Sequence, residues 1–135
     1  MTTYNGSKED GWIEYLQYGG LPPVVLQNAI YSELRRQGFN VDVGVVTVNG
    51  KDENGSSYRK QLEVDFVCNK GSRRCYIQSA LSLPSQEKID QETNSLRRLD
   101  DGFERIVIVG DHMSSNHDDN GILFMSIYDF MTKEL

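Results

Sequence analysis

Apolar and polar residues alternate along 62–68, where Leu62, Val64, Phe66 and Cys68 are separated by Glu63, Asp65 and Val67. A period of two predicts a strand. Cys75-Tyr76-Ile77 is a second run of strand formers, with Asn69-Lys70-Gly71-Ser72 between the two, so a β-hairpin is expected over 61–81. A two-residue turn at Gly71-Ser72, glycine first as type II′ prefers, sets Lys70 across from Arg73, Cys68 across from Cys75 and Asp65 across from Gln78. Strict alternation then puts Glu63, Asp65 and Val67 on one face with Tyr76, Gln78 and Ala80, and the apolar set on the other.

Elsewhere the period changes. Val25, Leu26, Ala29, Ile30 and Leu34 predict a helix over 24–37, opened by Pro22-Pro23, closed by Arg35-Arg36 at its negative end and capped by Gly38. The valine-rich segment 39–48 reads as a strand covered on both faces, and 49–57 (NGKDENGSS) as a long turn with an antiparallel return. A helix is expected from Pro84-Ser85-Gln86-Glu87 to Asp100, then a buried strand over 103–110, FERIVIVG. A polar loop without order, a closing strand over 122–127 and a short terminal helix over 128–135 complete the pattern. Residues 1–10 read as a mobile polar end and 11–18 as a short helix, so 1–23 form an appendage and 24–135 the main domain. The order implies an α/β fold, a mixed sheet flanked by helices on both faces.

Composition narrows the chemistry. A chain of 135 residues with 38% hydrophobic and 25% charged residues suits one domain. No apolar run approaches membrane-spanning length and no leader pattern opens the chain, so a cytoplasmic location and reduced thiols at Cys68 and Cys75 are expected. Neither the cysteines nor His112 and His117 follow a zinc spacing. A net charge of −6 argues against a general nucleic-acid-binding surface. Local clusters remain: Lys70, Arg73, Arg74, Arg97 and Arg98 would form a nucleic-acid-binding rim if they converged on one face. Asp65 stands out, since a carboxylate among apolar neighbours is paired, bound to a metal or placed at a cleft. Glu33 is the other candidate, a negative charge where the helix dipole disfavours one; its alternative is an ordinary helix residue beside Arg36 and Gln37.

That element order, with an acid on the second strand and a polar residue on the third, resembles the restriction-endonuclease-like, PD-(D/E)XK nuclease core. From Leu26 to Phe130, about four fifths of the chain, it is also similar to the C-terminal domain, of unknown function, of prokaryotic AAA-type P-loop ATPases. The matching pieces are Gln27-Asn28, 31–38 (YSELRRQG), Val41-Asp42-Val43-Gly44, Val64-Asp65-Phe66, Tyr76-Ile77-Gln78, the helix around Glu92 and Leu96, and Gly121-Ile122 before Asp129-Phe130. YLQYGGLP at 15–22 resembles a further motif of those ATPases, one that lies well upstream in them. No GxxxxGK followed by Ser or Thr occurs, so ATP hydrolysis is not expected.

The resemblance implies a site of two acids holding Mg²⁺ and a lysine near the attacking water. Asp65 matches the first acid. Tyr76 stands at the second acidic position and Gln78 at the lysine position; Glu33 would be an additional metal ligand beside Asp65, Glu63 lies nearby, and Gln27 replaces a glutamate common in the family. The leading expectation is a nuclease-fold domain with a degraded metal site, a non-catalytic binding or regulatory module whose partner is nucleic acid or another protein. The alternatives are a Mg²⁺-dependent DNA endonuclease using Asp65, Gln78 and Glu33, and a structural interaction domain that forms a homodimer.

Overall fold

The computed structural model describes residues 22–99, 101–133 and 135. The expected helix over 11–18 and the motif up to Leu21 lie outside them. Among the described residues three helices, α1 (Pro23–Arg36), α2 (Gln86–Arg97) and α3 (Ile127–Thr132), accompany six strands: β1 (Asn40–Lys51), β2 (Ser57–Lys70), β3 (Arg73–Ala80), β4 (Glu104–Val109), β5 (Asn116–His117) and β6 (Leu123–Ser126). The strands form one mixed sheet in the order β1-β2-β3-β4-β6-β5. β1, β2 and β3 are antiparallel, β4 runs parallel to β3 and β6 to β4, and β5 pairs antiparallel with β6.

Local chemistry explains the element ends. Pro23 occupies the first turn of α1, where its missing N–H costs nothing. Gly38 takes a φ of 95°, so its N–H reaches the Arg35 carbonyl while that of Phe39 reaches Leu34. The Ser85 side chain accepts from the Lys88 N–H at the start of α2, and Ser126 accepts from Asp129 at the start of α3.

Helices cover both faces of the sheet. Leu26, Ile30 and Leu34 of α1 and Phe130 of α3 pack with Phe66, Cys68, Cys75, Ile77, Ile106 and Ile108. On the opposite face Leu96 and Leu99 pack with Leu62, Val64, Val67, Tyr76, Val107 and Phe124. β3 and β4 thus contribute alternate residues to two cores, which accounts for their nearly unbroken apolar composition.

Three expectations are corrected. β1 is not covered on both faces: it is the edge strand, and Val43 and Val45 are 88% and 55% exposed. The first hairpin continues to Lys51 and Ser57, leaving a tighter turn in which Asp52 Oδ1 accepts from the N–H groups of Asn54 and Ser56. The polar loop after β4 contains a strand, β5, with His117 in it, because the edge of β6 offers unpaired backbone groups. No helix among the described residues is long and apolar enough to cross a membrane.

Candidate functional site

The β2–β3 hairpin positions Asp65. Gly71 has a φ of 61° and Ser72 is not among the positive-φ residues, as a type II′ turn at Gly71-Ser72 requires. The ladder then runs Lys70 to Arg73, Cys68 to Cys75, Val67 to Tyr76 and Phe66 to Ile77. There it stops, one step short of the expected Asp65–Gln78 pair. Side chains bridge the fork instead: the Asp65 N–H donates to Gln78 Oε1 at 3.0 Å, and Asp65 Oδ2 accepts from the Ser79 N–H at 2.8 Å and its hydroxyl at 2.6 Å.

On its other edge β2 carries a bulge. Val43 pairs with Phe66 but Gly44 pairs with Val64, so Asp65 is the extra residue. The bulge reverses the phase of the strand: Leu62 and Val64 face the α2 core, whereas Phe66 and Cys68 face the α1 core. Strict alternation therefore fails at Asp65, and exposed Glu63 and buried Val67 lie on opposite faces rather than one. Gly44 makes the bulge possible, since a Cβ there would lie 2.4 Å from Val64 Cγ2 and 2.5 Å from the Val64 carbonyl oxygen.

The positions around Asp65 are occupied by other duties. Tyr76 is fully buried in the α2-side core, and its hydroxyl donates to Asp101. Burial, and then that bond, push its phenol up from the ordinary value. The Glu33 carboxylate is 5% exposed and accepts from Arg36 Nη2 at 2.6 Å and from Gln37 Nε2 at 2.9 Å. Gln37 in turn accepts from the Leu135 N–H, which ties this group to the C-terminal end of α1. Gln27 is exposed on α1. Mg²⁺ needs hard oxygen donors in near-octahedral order. The Asp65 neighbourhood offers one carboxylate already serving Ser79, with an amide and a hydroxyl beside it, so these residues do not fit the ion. Among the described residues no three His, Cys, Asp or Glu side chains group as ligands.

The basic residues divide between faces. Lys70 Nζ and the Arg73 guanidinium each lie 5.6 Å from the Phe39 ring centroid on the α1 side. Lys70 also donates to the Gln37 carbonyl, and Arg73 pairs with Glu104 at 2.8 Å. Arg74 stacks 5.9 Å from the rings of Tyr76 and Phe103 on the α2 side. Arg97 donates to the Asp90 carbonyl, and Arg98 caps α2. Lys70 and Arg73 sit at the hairpin tip, five residues along β2 from Asp65 and thus about 16 Å away. The structure does not bring the five to one face with Asp65.

Cys68 and Cys75 are free, buried and directly opposed. Burial pushes the Cys68 thiol up to about 12, with Asp42 adding to the effect. Burial does the same to Cys75, to about 12, helped by its hydrogen bond to Glu104. Burial opposes ionisation of Glu104, but the Cys75 and Arg73 contacts outweigh it and hold its carboxyl low.

Sequence reasoning missed Ser79, Asp101 and a groove. Adjacent apolar residues at Phe66-Val67-Cys68 were a sign that both strand faces are buried, but nothing in the pattern marks Ser79 as the partner of Asp65. The groove, of about 530 Å³, runs along α2 and is closed by the segment 111–120; neither Asp65, Gln78 nor Glu33 lines it.

Among known proteins, no family model matches the chain. An uncharacterized protein of Haemophilus influenzae is 27% identical over 106 residues, which is 78% of this chain. The match spans only 22% of that relative's length, so this chain is similar to one part of a much longer protein.

Proposed function

We propose that the chain is a restriction-endonuclease-like domain whose metal site has become a structural fork, and that it serves as a non-catalytic binding or regulatory module related to the C-terminal domain of AAA-type ATPases. The order α1-β1-β2-β3-α2-β4, antiparallel through β3 and then parallel, supports the fold assignment. One observation carries the loss of chemistry. At the fork, Asp65 is spent on Ser79, Tyr76 supplies a buried phenol where a carboxylate belongs, and Gln78 supplies an amide that accepts the Asp65 N–H where a lysine belongs. An amide neither neutralises charge nor transfers a proton, so neither the attacking water nor the scissile phosphate is activated.

The partner in this reading is a protein. The basic side chains lie on two faces and mostly hold the fold together, while the net charge of −6 opposes a phosphate backbone. Calorimetric titration of Mg²⁺ and Mn²⁺ into the wild type and Asp65→Ala, with cleavage assays on branched and single-stranded DNA, tests it. The expected result is no Asp65-dependent heat and no cleavage. Metal binding lost in Asp65→Ala would overturn the structural reading of the fork, and metal-dependent cleavage would establish the endonuclease alternative.

A further inference from the structure

The groove along α2 has a floor and a rim of different character. Its floor is apolar, built from Leu83, Ile89, Val109, Met113 and Phe124. Four aspartates, Asp90, Asp111, Asp118 and Asp119, stand around it against one arginine, Arg97. Asp90 is the one Arg97 reaches, at 3.8 Å, and Asp118 Oδ1 accepts from the N–H groups of Asn120 and Ile122. Asp111 and Asp119 are exposed to solvent.

We infer that this groove docks a short extended protein segment carrying apolar side chains flanked by Lys or Arg. The inference rests on the reading of the chain as a protein-binding module and names its surface. Charge complementarity selects the occupant: the rim attracts cationic side chains and repels phosphates, while the floor takes apolar ones. Size agrees. The groove follows α2 from Gln86 to Arg97, about 16 Å at 1.5 Å per residue, the span of about five extended residues. Its volume of about 530 Å³ is also that of a site for a multi-atom ligand rather than an ion.

The test is fluorescence anisotropy of the full chain with a labelled peptide in which Leu and Phe alternate with Lys and Arg. A second peptide replaces every Lys and Arg with Glu. The basic peptide is expected to bind saturably and the acidic one not. Asp111→Lys with Asp119→Lys should weaken binding about tenfold. Reversal of two exposed acids outside the groove, Glu53→Lys with Glu63→Lys, should leave it nearly unchanged at equal net charge. Equal loss in both variants would reduce the effect to net charge and overturn the inference. So would no binding by the basic peptide, or its displacement by a single-stranded oligonucleotide. Failure here leaves the metal titration untouched, and metal-dependent cleavage would refute the parent reading without emptying the groove.

Discussion

Replacing Asp65 with alanine distinguishes a structural fork from a metal site. The substitution removes the acceptor of two hydrogen bonds, at 2.8 Å from the Ser79 N–H and 2.6 Å from its hydroxyl. Bonds to a charged acceptor contribute about 1.5–3 kcal/mol each when buried. Asp65 and Ser79 are only partly buried, so water replaces part of the loss, and a net cost of about 2 kcal/mol is expected. In urea that lowers the unfolding midpoint by about 1 M at an unchanged slope. Ser79→Ala removes the hydroxyl but keeps the N–H, so a double-mutant cycle should return a coupling of about 1 kcal/mol. A midpoint shift under about 0.3 M with no coupling would refute the fork. Stabilisation of the wild type by Mg²⁺ that disappears in Asp65→Ala would replace it with a ligand role.

Other perturbations probe the surrounding structure. Gly44→Ala forces a Cβ against the Val64 backbone at 2.5 Å and should destabilise by about 2–3 kcal/mol, read as a lower thermal midpoint. Glu33→Ala breaks the partly buried contacts to Arg36 and Gln37 and should cost about 1 kcal/mol while leaving metal titrations unchanged; a change in metal binding would return Glu33 to the ligand set. The thiols, raised from 9.0 to about 12 in the fold, keep their protons where the unfolded chain loses them, so their contribution is complete below pH 9 and lost as pH rises toward 12. Urea midpoints measured across that window should fall less steeply in Cys68→Val with Cys75→Val. Iodoacetamide should label neither cysteine in the native protein and both in denaturant; rapid native labelling would contradict their burial.

The chain alone determined what depends on nearest neighbours. The period of α1, the turn at Gly71-Ser72 and the register that follows it, the capping serine of α2 and the buried character of β4 are all local consequences of side-chain spacing and backbone preference. The register placed Asp65 near Gln78 because the turn was short enough to set it, while the site positions of Tyr76 and Gln78 came from the family resemblance. Tertiary structure decided the rest. The bulge at Asp65 arises because Gly44 admits Val64 from a neighbouring strand, a contact no period in β2 records. β1 is an edge because, among the described residues, no strand pairs beyond it, although its valines read like an interior strand. Glu33 met the partners already beside it in the chain, Arg36 and Gln37, whereas the basic hairpin tip was set by distant groups, since Phe39 and Glu104 engage Lys70 and Arg73. The groove combines α2 with a loop beyond β4, and its sign is a sum over residues far apart in the chain. Pattern reports how each segment meets its own neighbours, whereas a site depends on which segments meet each other.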